Sequence, residues 1–243
     1  MIRVESLVKR FGDVRAIDGI SFEARPGQIT GFLGPNGAGK TTTMRILSTL
    51  IQADAGTATV EGYDVVSQAE EVRRSIGLLT EEPGLYDRMT VREQLSFFAS
   101  TYDMDSAAAG RTITMLARAL GFDEYLDRRA GTLSKGNRQK VAVSRALLHD
   151  PPVLLLDEPT AALDVVAAHA MEEFMTSDAL RGKTVLLSTH IVEEAARLCS
   201  RIIVVARGKV VAHGTPEDLA ARGDLRRALI RLMGEPVPEQ VDR

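Results

Sequence analysis

Short apolar segments alternate with amphipathic segments along most of the chain. Residues 153–156 and 184–188 are rich in aliphatic side chains, which is typical of strands buried on both faces of a parallel sheet. Residues 41–50 follow another short apolar run, 28–33, and carry apolar side chains at helical spacing. Strands that alternate with helices in this way predict a doubly wound α/β core with a mainly parallel sheet.

The first strands of the chain follow a different pattern. Residues 2–8 and 20–24 mix apolar and polar side chains, and the second segment alternates strictly, which is typical of strands with one buried face. β character returns at residues 57–60. These segments predict an N-terminal antiparallel β subdomain beside the parallel core.

Between residues 85 and 150 the pattern becomes mainly helical. Thr90 and Glu93 have the spacing of a capping box at a helix start. Further helices are predicted at residues 107–120 and 138–149 from the spacing of their apolar side chains. The sequence therefore predicts a helical lobe, at about residues 85–150, inserted into the α/β core.

The limits of the domain follow from length and from the C-terminal composition. A chain of 243 residues is long enough for one large domain, which we expect to span residues 1–220. Residues 221–243 are expected to form a C-terminal helix and a frayed tail, because prolines follow Gly234.

Composition narrows the classes of protein to consider. The formal net charge is −3, so the positive charge typical of nucleic-acid binders is missing, and we expect no nucleic-acid partner. No apolar stretch approaches the roughly 20 residues of a membrane-spanning helix, so we expect the chain to be soluble. The lone cysteine, Cys199, excludes an intrachain disulfide, fits a reducing compartment and is expected to be inert core.

A glycine-rich turn lies between the apolar run 28–33 and the helix 41–50, with the spacing G-x-x-x-x-G-K-T. Glycines let consecutive backbone N–H groups converge on one point, and the helix dipole adds partial positive charge there, which predicts a phosphate site. Lys40 should reach the β- and γ-phosphates, Thr41 should bind Mg²⁺, and Thr42 should contact an inner phosphate. The predicted nucleotide-binding loop consists of Gly34, Pro35, Asn36, Gly37, Ala38, Gly39, Lys40, Thr41 and Thr42.

Three polar side chains follow the ends of predicted parallel strands. Asp157 and Glu158 come directly after residues 153–156, and His190 follows residues 184–188. Ligands of such sheets bind beyond the carboxyl ends of the strands, beside the phosphate loop. We expect Asp157 to hold Mg²⁺ and Glu158 to act as general base toward the attacking water. His190 can contact the γ-phosphate from the same crevice, and a purely structural histidine is the alternative.

For two further residues the sequence leaves two interpretations open. Phe11 offers a flat apolar face that could stack on an adenine ring, or it could be a core phenylalanine. Ser134 is a predicted N-cap, and the helix start that it marks could bind an anion or could simply be capped.

Taken in order, these motifs resemble the nucleotide-binding domain of an ABC transporter, over roughly residues 2–220. The family's phosphate loop, a signature motif at 133–139, the strand with two acids, a D-loop at 162–164 and a switch histidine all have counterparts. The resemblance implies an ATPase that uses ATP and Mg²⁺. It implies that Phe11 stacks on adenine. It also implies that two subunits pack head to tail, so that Ser134 and the backbone of Gly136 contact the γ-phosphate held by the other subunit.

Two motifs depart from the family pattern. Glu81 stands where the family has a loop glutamine; its carboxylate can still accept hydrogen bonds from a metal-bound water, but it adds negative charge beside the triphosphate. The signature motif has Lys135 and Asn137 where a glycine and a glutamine are common. Because Ser134 and Gly136 are in place, we expect nucleotide binding to be retained.

Residues 81–95 are similar, more narrowly, to bacterial ATPase subunits of exporters of the sodium or drug efflux type. This resemblance implies that residues 85–101 dock a separate integral membrane permease, with the ATPase peripheral at the cytoplasmic face of the membrane. The second ATPase subunit would be another copy of this chain or a paralogue.

Two alternatives share the nucleotide fold. One is a soluble ATPase that acts on nucleic acid or ribosomes; such relatives typically carry long coiled coils, zinc modules or tandem domains, and residues 42–133 hold none of these. The other is a regulatory domain that binds nucleotide without turnover, which the presence of Glu158 and His190 disfavours.

Overall fold

The computed structural model describes residues 1–161 and 163–220. The C-terminal helix and tail predicted for residues 221–243 lie outside the described residues, as does Ala162 of the predicted D-loop. The strands are β1 (Ile2–Phe11), β2 (Val14–Ala24), β3 (Gln28–Leu33), β4 (Ala55–Val60), β5 (Tyr63–Asp64), β6 (Ile76–Leu79), β7 (Val153–Asp157), β8 (Thr184–Thr189), β9 (Arg201–Ala206) and β10 (Lys209–Gly214). The helices are α1 (Lys40–Leu47), α2 (Ala69–Ser75), α3 (Val91–Thr101), α4 (Ser106–Leu120), α5 (Lys135–Leu147), α6 (Val165–Met175), α7 (Val192–Leu198) and α8 (Pro216–Ala220).

The strands of the described part of the chain form two sheets. The first is antiparallel, with the order β2-β1-β4-β5. The second has the order β10-β9-β3-β8-β7-β6, in which β10 pairs antiparallel with β9 and all other neighbours are parallel. This architecture confirms the predicted α/β class, with a mainly parallel sheet and an N-terminal antiparallel sheet.

Strand β7 shows why its sequence is almost continuously apolar. Leu154 and Leu156 pack into the hydrophobic core on the helical side of the parallel sheet. Val153 and Leu155 pack on the opposite face, in the core shared with the antiparallel sheet. Since both faces of the strand are covered, every side chain of β7 is buried. The strand therefore delivers the polar residues at its carboxyl end to a fixed place at the edge of the sheet.

Helices α3, α4 and α5 occupy the chain between β6 and β7, where a helical lobe is predicted. The capping box is confirmed: the Glu93 N–H donates to Oγ1 of Thr90 at 3.1 Å, and the Thr90 N–H donates to Oε2 of Glu93 at 2.7 Å. Hydrogen bonds from Thr90, chiefly from its backbone, lower the pKa of Glu93. Helix α5 spans Lys135–Leu147 rather than the predicted 138–149, because Ser134 caps it three residues earlier.

Cys199 lies in the core beneath strand β3. A Cβ placed on Gly31 would come within 2.8 Å of its Sγ, which shows how closely the strand approaches the thiol. Burial raises the pKa of Cys199 to about 12, so the thiol stays protonated at neutral pH. The prediction that Cys199 lies in the core is confirmed, and its lack of reactivity stays a prediction.

None of the helices in residues 1–161 and 163–220 combines the length and apolar character that crossing a bilayer requires.

Candidate ATP site

The phosphate loop connects the carboxyl end of β3 to the first residue of α1, Lys40. Gly39 directly precedes the helix with φ of 103°, a conformation that side chains rarely adopt. A Cβ at this position would also lie 2.5 Å from the carbonyl oxygen of Ala16, so only glycine fits. The loop therefore turns sharply into the helix, and the first N–H groups of α1 are directed toward the space beyond the sheet.

Lys40 is almost completely buried beneath this loop, with 5% of its surface exposed. Its Nζ donates hydrogen bonds to the carbonyl oxygens of Gly34 at 2.8 Å and Pro35 at 3.3 Å. The same Nζ lies 3.4 Å from Oε1 of Glu158. The side chain thus joins two motifs that are more than one hundred residues apart in the chain.

Glu158 adopts a backbone conformation that the sequence does not predict. Its φ is 52°, in the left-handed region, which is uncommon for a residue with a side chain. The Glu158 N–H donates to the carbonyl oxygen of Ser188 at 3.0 Å, across the β7–β8 pair. Its Oε2 lies 2.9 Å from Nδ1 of His190. The carboxylate therefore sits between the Lys40 ammonium and the His190 ring.

Asp157 is buried at the last position of β7, and Oδ1 of its carboxylate accepts a hydrogen bond from the Ser188 hydroxyl. Asp157, Thr41 and Glu81 line one cavity of about 490 Å³ between α1 and the loop after β6. Two carboxylates and a hydroxyl are the oxygen donors that Mg²⁺ prefers, and this donor set fits a magnesium ion that also binds nucleotide oxygens. No cluster of three or more His, Cys, Asp or Glu side chains suited to a metal occurs in the residues described.

A cleft of about 410 Å³ opens above the phosphate loop. It brings together most of the residues predicted to form the site: Asn36, Gly37, Gly39, Lys40, Thr41, Thr42, Glu81, Glu158 and His190. Five residues without a predicted role also line it: Val14, Arg15, Ala16, Ala161 and Arg207. The segments that meet here come from both sheets, so the cleft exists only in the folded chain.

Comparisons with known proteins identify the family of this chain. The family described as ABC transporter matches residues 17–161. A relative from Bacillus subtilis, "ABC transporter ATP-binding protein NatA", is 41% identical over 224 residues, which cover 90% of this chain and 91% of that protein. The chain belongs to the ABC transporter family. It is accordingly an ATP-binding protein and an ATPase.

Other comparisons support the same family. A "Nod factor export ATP-binding protein I" from Burkholderia orbicola is 40% identical over 218 residues, which cover 90% of this chain and 72% of that protein. The solved structure of an ATP-binding subunit of an ABC transporter matches with a TM-score of 0.87 and 30% identity, over 96% of this chain and 99% of the other. The predicted resemblance is confirmed at the level of sequence and of fold.

Some predicted site residues of this ABC ATPase do not line the cleft. Gly34, Pro35 and Ala38 form the body of the phosphate loop behind it. Phe11 ends β1 opposite Val14, which does line the cleft; its ring is half-exposed and lies 5.5 Å from Nζ of Lys9. Its stacking on adenine stays a prediction.

Ser134 and Gly136 also lie away from the cleft, at the start of α5. The Ser134 side chain is exposed, and its Oγ accepts a weak hydrogen bond of 3.3 Å from the Asn137 N–H. The helix start is therefore capped as predicted, and its serine faces the surface rather than the phosphate loop of its own chain.

The β9–β10 turn of the ABC ATPase is a part of the site that sequence reasoning missed. Arg207 in this turn lines the cleft, and the next residue, Gly208, donates its N–H to the carbonyl oxygen of Ala38 at 3.1 Å. Arg15 adds a second guanidinium from β2. The sequence identifies residues 207–209 only as a hairpin turn, because nothing local indicates that the turn packs against the phosphate loop.

Proposed function

We propose that this ABC ATPase powers export through a separately encoded membrane permease, as a peripheral subunit at the cytoplasmic face of the membrane. The name of one relative, a Nod factor export ATP-binding protein, supports export as the direction of transport. The observation that supports ATP hydrolysis is the contact of the Glu158 carboxylate with both Lys40 and His190 beside the phosphate loop.

In the proposed mechanism the phosphate loop holds the triphosphate. Its backbone N–H groups and the N-terminus of α1 bind the phosphate oxygens, and the Lys40 ammonium binds the β- and γ-phosphates. Arg15 and Arg207 add positive charge along the cleft wall. Phe11 supplies a flat face for adenine at the tip of the β1–β2 hairpin.

Glu158 acts on the water that attacks the γ-phosphorus. Its carboxylate accepts a proton as the new oxygen–phosphorus bond forms, the bond to the β-phosphate oxygen breaks, and ADP and inorganic phosphate result. His190 holds the carboxylate through the 2.9 Å contact between Nδ1 and Oε2. When both ring nitrogens carry hydrogen, the second N–H of His190 is available to donate to the γ-phosphate.

Mg²⁺ would be held by Thr41, Asp157 and Glu81, which line the same cavity. When bound, the ion would neutralise charge on the phosphate oxygens. The hydrogen bond from Ser188 fixes one oxygen of Asp157, so the orientation of this carboxylate is set by the protein.

The exposed position of Ser134 supports a site that two subunits complete. We infer a head-to-tail pair, formed with a second copy or a paralogue, in which Ser134 and the Gly136 backbone of one subunit bind the γ-phosphate held by Lys40 of the other. ATP would then hold the pair together, and hydrolysis would release it. This two-state element would drive the permease.

Residues 85–101 form the proposed docking surface for the permease, on a helical lobe of about residues 85–150 within a domain of residues 1–220. Tyr86 and Phe97 are about half-exposed there. Both pack on Phe98, with ring centroids 6.2 Å and 5.5 Å from its ring. Exposed aromatic side chains that pack against each other offer a firm apolar surface for a partner helix.

The test is recovery of the tagged full-length protein from detergent-solubilised membranes of its source, followed by mass spectrometry of what copurifies. We expect an integral membrane protein. The double variant Tyr86→Ala/Phe97→Ala should lose that partner, while the ATPase activity of the purified protein stays close to normal.

Two outcomes would overturn the proposal. Recovery of ribosomes or nucleic acid in place of a membrane protein would favour the soluble-ATPase alternative. A membrane partner that survives the double aromatic substitution would place the docking surface elsewhere on the protein.

A further inference from the structure

A buried carboxyl group on helix α7 has no part in the chemistry described so far. Glu194 is 2% exposed. Its Oε1 accepts a hydrogen bond of 2.6 Å from the Thr160 hydroxyl, and the Thr189 hydroxyl faces the same carboxyl group. Thr160 lies in the loop after β7 and Thr189 is the last residue of β8, so one carboxyl group joins the two segments.

Those two threonines flank the catalytic pair. Thr160 comes two residues after Glu158, and Thr189 comes directly before His190. Glu194 therefore holds the two backbone segments from which the side chains of Glu158 and His190 extend. Their 2.9 Å contact depends on the relative position of these segments.

The hydroxyl hydrogens can be assigned from their neighbours. Oγ1 of Thr189 already accepts a hydrogen bond of 3.0 Å from the Ile191 N–H, so its own hydrogen is available to Glu194. The Thr160 hydroxyl also donates to Glu194. Two hydroxyl donors thus face one side chain. A carboxylate suits them better than an amide, because an amide has an NH₂ donor in place of one of the two acceptor oxygens.

The backbone at Glu158 needs such support. Its φ of 52° is a strained conformation that persists only where the surroundings enforce it. The next two residues are held on both sides: the side-chain amide of Gln139 donates to the carbonyl oxygen of Pro159 at 3.0 Å, and Thr160 donates to Glu194. Gln139 belongs to α5, the helix that Ser134 caps.

A carboxylate is a costly way to satisfy two hydroxyl groups in the interior. Burial raises the pKa of Glu194, and the negative charges of Glu158 and Glu172 act in the same direction. Glutamine would avoid this cost, so stability alone does not account for a carboxyl group at this position.

We propose that Glu194 is a positioning residue for ATP hydrolysis. It holds Thr160 and Thr189 so that the side chains of Glu158 and His190 stay in contact. The proposal rests on the catalytic roles proposed for Glu158 and His190. Because this role requires no contact between Glu194 and the nucleotide, the proposal predicts a change in turnover and no change in ATP affinity.

The experiment compares steady-state ATP hydrolysis by purified full-length variants. Glu194→Gln and Thr160→Val should each lower kcat about 10- to 100-fold with an unchanged KM for ATP, because a small misplacement of catalytic groups has effects of this size. The double variant should lose no more than either single variant, since both break the same contact. Thr160→Ser, which keeps the hydroxyl, should restore most of the activity, and Glu193→Gln on the same helix is the matched control.

A second readout does not depend on activity. The ring resonances of His190, assigned by comparison with His190→Gln, should shift in Glu194→Gln and stay in place in Glu193→Gln. A kcat within about twofold of normal in Glu194→Gln, a rise in KM equal to the fall in kcat, or unmoved His190 resonances would overturn the proposal. If Glu158→Gln itself retains full turnover, the proposed catalytic roles fail instead, whatever the His190 resonances show.

Discussion

Nδ1 of His190 lies 2.9 Å from Oε2 of Glu158, although the two residues follow different strands. The other oxygen of the same carboxylate lies 3.4 Å from Nζ of Lys40. Strand β8 runs between β3 and β7, so the histidine that follows β8 lies next to the acid that follows β7. The three side chains form one chain of contacts from the phosphate loop through the proposed general base to His190.

Replacement of Glu158 by glutamine tests that base. Glu158→Gln keeps the size of the side chain but cannot accept a proton, so kcat should fall by about 100-fold or more while ATP still binds. Phosphate release and equilibrium binding of a fluorescent ATP analogue measure the two properties separately. Turnover that persists unchanged would remove Glu158 from the mechanism.

Lys40 should matter for stability as well as for binding. Lys40→Ala should abolish ATP binding and ATP-dependent pairing, because the ammonium is the proposed ligand of the β- and γ-phosphates. It also leaves the buried Glu158 carboxylate without one of its partners, which should lower the free energy of unfolding by about 1–3 kcal/mol. Chemical denaturation measures this loss.

The double variant Lys40→Ala/Glu158→Gln separates the two effects. With the negative charge removed, most of the stability should return, but ATP binding should not. A double variant no more stable than Lys40→Ala would show that the ion pair contributes little to folding.

The proposed contact of Ser134 with the other subunit's nucleotide predicts that two inactive variants complement each other. In a head-to-tail pair, a mixture of Ser134→Ala and Lys40→Ala chains contains heterodimers in which one site carries both defects and the other carries neither. The mixture should therefore regain ATPase activity that neither protein has alone. Continued inactivity of mixtures that demonstrably form heterodimers would mean that Ser134 serves only as the N-cap of α5.

Phe11 should affect ATP affinity rather than turnover. Loss of an aromatic stack weakens binding by about 0.5–1.5 kcal/mol, so Phe11→Ala should raise KM for ATP by about 3- to 10-fold with kcat unchanged. Phe11→Tyr should retain normal affinity. Val14→Ala, which changes the neighbouring cleft residue, should have the smaller effect; the reverse order would assign the adenine contact to Val14.

Glu194 predicts a pH-dependent difference in stability. Burial raises its pKa, so the folded protein binds this proton more tightly than the unfolded chain. The resulting stabilisation is fully present below the unfolded pKa of about 4.3 and is lost as pH rises through the folded pKa. Glutamine does not titrate, so the midpoint of thermal unfolding of Glu194→Gln, relative to the unmodified protein, should increase from pH 4.5 to pH 8. A difference that stays constant or decreases over this range would contradict the assignment.

Local motifs account for what could be predicted from sequence. The capping box of α3, the Ser134 cap, the turn at Gly39 and the doubly buried strand β7 each depend on residues within a few positions of one another. Their physical causes, which are hydrogen bonds to the first turn of a helix and the alternation of side chains along a strand, act within the same short segment.

Errors at the element boundaries have the same origin. The sequence predicts α5 from residue 138, where its apolar spacing begins, but the helix starts at Lys135 because an N-cap directly precedes the first helical residue. Its first turn carries a glycine and polar side chains, so hydrophobic periodicity alone does not reveal it.

The amino-acid sequence by itself determined that this chain is an ABC family ATPase, since the phosphate loop, the two acids at the end of the β7 segment and the signature helix are contiguous motifs with their own local physics. Only the tertiary structure decided which motifs touch. The contacts of Glu158 with Lys40 and His190, the approach of Arg207 to the cleft and the link from Glu194 to Thr160 depend on strand order and on how helices pack against the sheet. Strand order is set by the burial of both faces of the sheet across the whole domain, and no spacing within a single motif records it.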